Sequence, residues 1–168
     1  SPMYGTAQAV IGKLLASTTG TEKLFAATKV WIDGEQEGIE QMEESRRLWG
    51  ISRFDLMQIH NLVDWSIHLK TLNKMKAEGQ LRYTGITTSH GRDHAELEAV
   101  LKKHQFDFVQ LSYNMANRIV EERLLPIAQE RGVAVIVNRP YQKGALFRRV
   151  KGKPLPDWAG ELDINSWG

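Results

Sequence analysis

Apolar residues form five short runs, and longer amphipathic segments separate them. Each run is rich in valine, isoleucine, leucine and aromatic residues and has the length of a strand buried on both faces. The five predicted strands are Leu24–Trp31, Phe54–Asn61, Leu81–Thr88, Phe106–Asn114 and Val133–Asn138. Their first residues lie 30, 27, 25 and 27 positions apart, which leaves room for one helix between neighbouring strands.

The segments between the strands carry apolar residues at helical spacing. The four stripes are Ile39, Met42, Arg46 and Trp49; Trp65, Leu69, Leu72 and Met75; Leu97, Val100, Leu101 and His104; and Val120, Leu124, Ile127 and Ala128. A further helix is predicted over Ala7–Ala16. Gly79 and Gly132 stand where a glycine ends a helix, and Asn117 is predicted to cap the start of the fourth stripe.

Regular alternation of strand and helix predicts βα units and a parallel sheet with both faces covered. An open doubly wound sheet and a (β/α)8 barrel both fit this pattern. A dinucleotide-binding open sheet would carry G-x-G-x-x-G after its first strand, and the sequence has none, so the barrel is favoured. A barrel takes about 250 residues. The 168 residues hold five strands, so we expect part of a barrel.

Composition narrows the class of protein. Hydrophobic residues make up 42% of the chain, and 22 Lys and Arg against 20 Asp and Glu give a formal charge of +2, which is typical of a soluble globular chain. The absence of cysteine excludes a disulfide scaffold, a Cys-ligated zinc site and a thiol catalyst. No apolar run reaches the ~18 residues of a membrane helix.

Basic residues gather near the end of the chain with no acid between them. They are Lys143, Arg148, Arg149, Lys151 and Lys153. The run is either an anion-binding loop, for a nucleotide phosphate or nucleic acid, or a solvated loop. No aromatic residues are interleaved at stacking spacing, so single-stranded nucleic-acid binding gains little support.

Polar side chains stand at the carboxyl ends of the predicted strands, where barrels build their active sites. Lys29 ends the first strand and His60 the second, and each alone could be a surface or structural residue. Together, on neighbouring parallel strands, they are predicted to share one space. A metal site on His60 and His90 is a further alternative, but no other histidine or carboxylate follows at ligand spacing.

Several of these segments resemble the aldo-keto reductase family. They are Ser1–Gly5 followed by Ala9–Gly12, Ala27–Lys29, Asp55–His60, Gly79–Thr87 and Phe108–Asn114. The resemblance covers essentially residues 1–147, in the family's order and spacing. It implies one partial (β/α)8 TIM barrel domain over residues 1–168, an α/β fold with about strands three to seven and their helices. Strands one, two and eight and the last helices are expected to lie outside the sequence.

The family's chemistry is hydride transfer from NADPH, with NADH possible, to an aldehyde or ketone. The resemblance implies that Tyr4 donates the proton, that Lys29 supplies the charge that makes a tyrosine a better proton donor, and that His60 hydrogen-bonds the substrate carbonyl. In the family an aspartate that pairs with the lysine lies a few residues before the tyrosine, so its position falls before Ser1. Because strands one, two and eight are expected outside the sequence, two sheet edges would be left unpaired and one side of the cofactor site open. We therefore expect the 168 residues to be a partial record, or a truncated protein that would not be active alone.

Cofactor contacts follow from the same resemblance. Thr87 and Thr88 match the positions that bind the nicotinamide carboxamide, with Gln110 beside them, although the common pattern there is Ser-Asn and Thr88 departs from it. Arg139 stands where many members stack an aromatic ring on the nicotinamide.

The loop that begins at Pro140 and contains Gly144 resembles the segment that runs along the pyrophosphate. This strengthens the anion-binding interpretation of the basic run.

The leading function is a carbonyl-reducing oxidoreductase, and the alternative is a cofactor-binding regulatory or redox-sensing barrel subunit. The expected partner is a small-molecule carbonyl substrate, with no metal, nucleic acid or membrane, in the cytoplasm unless an export signal precedes Ser1. Oligomeric state is not readable. Trp31, Asn61, Trp65, Tyr113 and Trp158 could line a substrate pocket or serve in packing, and packing is favoured for Trp65.

Overall fold

The computed structural model describes residues 1–167, apart from the side chain of Glu22, and contains a sheet of five parallel strands. The strands are β1 (Ala27–Val30), β2 (Phe54–Ile59), β3 (Leu81–Thr87), β4 (Phe108–Ser112) and β5 (Ala134–Asn138). They lie side by side in chain order, and each pairs with the next in parallel. The predicted βα repeat is confirmed.

Helices fill the connections between the strands. They are α1 (Ala7–Ser17), α2 (Glu35–Trp49), α3 (Trp65–Ala77), α4 (His94–Lys103), α5 (Leu124–Glu130) and α6 (Ala145–Val150). Short 3₁₀ turns span Thr21–Lys23, His60–Leu62, Ile119–Glu121, Gln142–Gly144 and Asp157–Leu162. Gly79 and Gly132 adopt positive φ angles of 76° and 64° just beyond α3 and α5, as predicted for residues that end a helix. No helix within residues 1–167 is long and apolar enough to cross a bilayer.

The hydrophobic core lies between one face of the sheet and the helices. Met57, Ile59, Ile86, Val109 and Leu111 from the strands pack with Leu72, Leu97 and Leu101 from the helices. Side chains alternate between the two faces of a strand, so the opposite face carries Lys29 and Gln58, which are in register on β1 and β2. That face also carries Thr87 and Gln110, which are in register on β3 and β4.

Three predictions about the elements are corrected. The strands are shorter than predicted: β1 begins at Ala27 because a 3₁₀ turn precedes it, and β4 begins at Phe108. Asn117 does not cap α5, because its N–H donates to the backbone oxygen of Asn114 in the turn after β4 and a 3₁₀ turn intervenes. Within the described residues β5 is an edge strand, and the prediction that both of its faces are covered is wrong. Val135 and Val137 are 37% and 41% exposed.

Candidate active site

Two neighbouring strands bring Lys29 and His60 together. Lys29 pairs in register with Gln58, and His60 follows Gln58 by two residues, in the 3₁₀ turn that directly succeeds β2. Burial, and then the positive charge of Lys29, lower the pKa of His60 from 6.5 to about 4. His60 is therefore neutral at neutral pH.

Hydrogen bonds fix the imidazole of His60, which is only 8% exposed. Its Nδ1 lies 3.1 Å from Thr87 Oγ1, and its Nε2 lies 3.1 Å from Asn61 Nδ2. Thr87 Oγ1 also accepts the backbone N–H of Asn61 at 3.1 Å. The ring of Trp31 meets the imidazole edge-on, with centroids 6.0 Å apart. His60 thus has little freedom to rotate.

Lys29 is a half-buried cation without a counter-ion. Its ammonium makes no hydrogen bond or ion pair with any residue in the described part of the chain. Burial lowers its pKa from the usual value of a lysine. Lysine is almost never buried without a partner in purely structural positions, so this arrangement marks a candidate functional residue.

Tyr4 lies in the turn before α1 and is 66% exposed. Its backbone oxygen accepts the N–H of Ala7, whereas its hydroxyl has no partner within residues 1–167. Burial, and then the charge of Lys29, lower the pKa of the Ser1 amino group, so the start of this turn lies near Lys29. The Tyr4 hydroxyl itself contacts neither Lys29 nor His60.

The predicted carboxamide contacts differ in what their side chains already bind. The Thr87 hydroxyl is used by His60 and Asn61, as described above. The Thr88 backbone N–H donates to the backbone oxygen of Gln110 at 3.0 Å. The Thr88 hydroxyl oxygen is buried without a partner among the described residues. Gln110 Oε1 accepts a weak hydrogen bond of 3.4 Å from Gln58 Nε2.

A cavity of about 250 Å³ opens beyond the ends of β4 and β5. Its lining residues are His90, Ser112, Asn114, Asn117, Arg139, Gln142, Lys143 and Ala145. Burial, and then the charges of Arg139, Arg92 and Lys143, lower the pKa of His90. Arg139 directly follows β5 with a φ of 57°, and the predicted Pro140 and Gly144 belong to the same loop. The cavity is therefore a cationic environment that favours anions.

Two asparagines, the buried Asn114 and the half-buried Asn138, hold the loops around this cavity, and the sequence predicted no role for them. Asn138 Nδ2 donates to the backbone oxygen of Thr88 at 3.2 Å, and Asn138 Oδ1 accepts the Ser112 hydroxyl at 2.5 Å. Asn114 Nδ2 donates to the Arg139 oxygen at 3.1 Å. Both lie at the carboxyl ends of strands, and this position in the sequence could have marked them as candidates. Their hydrogen-bond partners could not be predicted, because they depend on the conformation of the loops.

The residues considered for a substrate pocket separate into two groups. Trp31 and Asn61 adjoin His60. Trp65 packs instead, because its ring meets His104 at 5.0 Å and its Nε1 donates to Glu96. The Tyr113 hydroxyl donates to Glu121, and Trp158 is exposed. Within residues 1–167 no three His, Asp or Glu side chains are grouped closely enough to hold a metal ion.

The family model described as the Aldo/keto reductase family matches residues 1–159. The chain therefore belongs to the aldo/keto reductase family. Two curated relatives come from Escherichia coli strain K12. Methylglyoxal reductase YeaE is 27% identical over 148 residues, covering 86% of this chain and 51% of the relative. The NADH-specific methylglyoxal reductase is 23% identical over 182 residues, covering 93% and 55%. The chain thus spans about half the length of the curated relatives it matches.

Solved structures agree on the fold. The aldo-keto reductase AKR11C1 from Bacillus halodurans, in its holo form, superposes with a TM-score of 0.70 at 27% identity, over 89% of this chain and 50% of that one. The glycerol dehydrogenase AKR11B4 from Gluconobacter oxydans gives a TM-score of 0.67 at 20% identity, over 98% and 54%, and supports the fold alone. The five-stranded parallel sheet corresponds to part of the (β/α)8 barrel of these enzymes.

Proposed function

We propose that the protein reduces an aldehyde or ketone by hydride transfer from NADH or NADPH, with Tyr4 as proton donor. The observation that carries this proposal is that Lys29, a half-buried cation with no ion pair within residues 1–167, lies beside the neutral His60 at the carboxyl edge of the sheet. This is the edge at which barrel enzymes react.

The chain's own residues manage the proton and the charge. Tyr4 gives its hydroxyl proton to the carbonyl oxygen as that oxygen gains negative charge. The Lys29 ammonium stabilises the phenolate that remains, because a nearby positive charge favours the ionised form of a tyrosine. His60, with the polar groups bonded to it, orients the carbonyl group.

The residues present fit a nicotinamide cofactor, which when bound would supply the hydride. Pro140, Lys143 and Gly144 belong to the loop at the cationic cavity, which would run along its phosphates. Arg139, at the start of that loop, would lie against the nicotinamide ring. The buried, unpartnered Thr88 hydroxyl is a polar group that a carboxamide can satisfy. Gln110 would complete that contact, whereas the Thr87 hydroxyl is already bonded to His60 and Asn61.

The substrate we propose first is a small aldehyde. Both curated relatives are named methylglyoxal reductases, and one is named NADH-specific, so methylglyoxal with NADH is the first pair to assay. NADPH is the second cofactor to assay, since the family uses either.

The test is oxidation of NADH and NADPH by the purified full-length protein with methylglyoxal and 4-nitrobenzaldehyde. Turnover by the parent and its loss in Tyr4→Phe support the proposal. Turnover that survives Tyr4→Phe undiminished contradicts the proton donor. Tight cofactor binding without any turnover would favour a regulatory or redox-sensing role instead.

A further inference from the structure

Asn114 joins the turn after β4 to the loop after β5. Its Oδ1 accepts the backbone N–H groups of Ala116 and Asn117, each at 3.0 Å. Its Nδ2 donates to the backbone oxygen of Arg139 at 3.1 Å. Backbone N–H groups only donate and a carbonyl oxygen only accepts, so these three contacts settle which amide atom is oxygen and which is nitrogen. Asn114 is 7% exposed, and its side chain binds the two segments in one fixed orientation.

The loop after β5 has a backbone conformation that needs such support. Arg139, Gln142 and Lys143 have positive φ angles of 57°, 48° and 55°. Residues other than glycine rarely adopt this left-handed region, and they persist there only where the surrounding structure holds them. Strain of this kind is concentrated at active sites and ligand clamps. The side chains of all three residues line the cationic cavity.

Asn114 holds two of the three strained residues. The Arg139 oxygen that it binds also accepts the backbone N–H of Gln142 at 3.0 Å. The side chain of Gln142 returns to Asn114, because its Nε2 donates to Asn114 Oδ1 at 3.2 Å. Asn114 Oδ1 thus accepts three hydrogen bonds from the protein, which fills its capacity as an acceptor. Asn114 therefore acts on the cavity through the shape of the loop.

We propose that Asn114 is a positioning residue that holds the cofactor loop, residues 139–144, in its binding conformation before the cofactor arrives. The inference rests on the proposed carbonyl reduction, in which this loop lies along the nicotinamide cofactor. When only a fraction of the molecules has the competent loop, the apparent affinity falls by that fraction. Asn114 thus sets the affinity for NADH and NADPH without touching the reacting atoms.

Asn114→Asp removes the bond to the loop while keeping the shape of the side chain. The carboxylate still accepts from Ala116 and Asn117, but it has no N–H to donate to the Arg139 oxygen. Asn117→Asp is the matched control for the added negative charge. Asn117 lines the same cavity, and its side chain makes no hydrogen bond within residues 1–167, so this variant keeps the bond from Asn114 to Arg139.

The first test reads the loop without cofactor and without activity. Hydrogen–deuterium exchange of the purified full-length protein, followed by mass spectrometry, reports the opening of the peptide that covers residues 139–146. Its amides should exchange about fivefold faster in Asn114→Asp than in the parent, and Asn117→Asp should match the parent. Equal exchange in parent and folded Asn114→Asp overturns the proposal.

The second test measures cofactor affinity and turnover. Fluorescence titration should give a dissociation constant for NADH and NADPH about tenfold higher in Asn114→Asp than in Asn117→Asp, since both carry the same added charge. With saturating cofactor, kcat for the aldehyde should agree within about threefold between the two variants. A lower kcat with an unchanged dissociation constant is the effect of a merely structural residue and overturns the proposal.

Gln142→Met tests the same loop if Asn114→Asp does not fold. It removes the 3.2 Å bond to Asn114 and adds no charge. Residues 139–146 should then exchange about threefold faster than in the parent without cofactor, and unchanged exchange overturns the proposal.

The outcomes separate this proposal from the proposed function. A full-length parent that binds neither cofactor contradicts the reductase function and with it a role of Asn114 in cofactor affinity. A parent that binds and turns over, with the dissociation constant of Asn114→Asp within about twofold of that of Asn117→Asp, overturns the role of Asn114 alone.

Discussion

Thr87 Oγ1 lies 3.1 Å from His60 Nδ1, so a residue of β3 fixes the imidazole at the end of β2. The same oxygen accepts the backbone N–H of Asn61. The resemblance placed Thr87 on the nicotinamide carboxamide, but in the structure its hydroxyl supports His60. The orientation of His60 thus depends on two strands together.

Replacing Thr87 by valine should destabilise the protein and reduce turnover. The change leaves His60 Nδ1 without its hydrogen-bond partner and the Asn61 N–H without its acceptor in a buried site. Each unsatisfied group costs about 1–3 kcal/mol. Chemical denaturation measures the loss in the free energy of unfolding.

Thr28→Val is the matched control for that variant. The Thr28 hydroxyl is also buried on a strand but has no hydrogen-bond partner among the described residues. Its removal should change the free energy of unfolding by less than about 0.5 kcal/mol, or raise it. Equal losses in the two variants would show that the Thr87 hydrogen bonds are not what stabilises this site.

Lys29→Met should make the protein more stable and much less active. The change removes a half-buried cation that makes no ion pair with any residue in 1–167, while keeping the length of the side chain. We expect a gain of about 0.5–2 kcal/mol at neutral pH, as at other destabilising functional positions. The aldehyde turnover should fall by about 100-fold or more.

Lys70→Met is its control, because Lys70 is exposed on α3 and away from the site. It should leave the aldehyde turnover unchanged. A Lys29→Met protein that loses stability while keeping its turnover would argue for a structural role.

His60 should make the protein more stable at neutral than at acidic pH. The unfolded chain binds a proton on this residue below about pH 6.5, but the folded protein binds it only below about pH 4. Between these values the unfolded state holds the extra proton, so stability present above pH 6.5 is lost as the pH falls towards 4. The shift corresponds to roughly 3 kcal/mol at most.

The measurement is the free energy of unfolding across that pH interval for the parent and for His60→Gln. The variant should show a flatter dependence, because glutamine does not titrate. An identical slope in both proteins would mean that the pKa of His60 is not lowered by folding.

Lys143→Ala should weaken binding of NADH and NADPH. Lys143 lines the cationic cavity with Arg139, and a charged hydrogen bond to a phosphate is worth about 1.5–3 kcal/mol, or roughly tenfold or more in the dissociation constant. Fluorescence titration at low and high salt checks this, and the variant should be less sensitive to salt. Lys151→Ala, exposed and not part of the cavity lining, is the control. Equal weakening by both changes would point to a general charge effect.

Much of the fold was predictable because the spacing of apolar runs fixes the βα repeat, and the repeat fixes a parallel sheet in chain order. The proximity of Lys29 and His60 was predictable too, because they lie at the carboxyl ends of two neighbouring parallel strands. The bond from Asn61 to His60 was not predictable, because it depends on a left-handed backbone at Asn61. The role of Asn117 was mispredicted because Asn114 organises that turn through its own side chain.

The central claim is that this chain carries a hydride-transfer site with Tyr4 as proton donor. The most direct measurement uses NADH and NADPH deuterated at the nicotinamide C4, on either face, with methylglyoxal and the purified full-length protein. Mass spectrometry of the product follows where the deuterium goes. The account predicts one deuterium on the former carbonyl carbon of the alcohol, and transfer that is strongly slowed in Tyr4→Phe. No deuterium in the product with either folded protein and either cofactor, or equal transfer by parent and Tyr4→Phe, would contradict it.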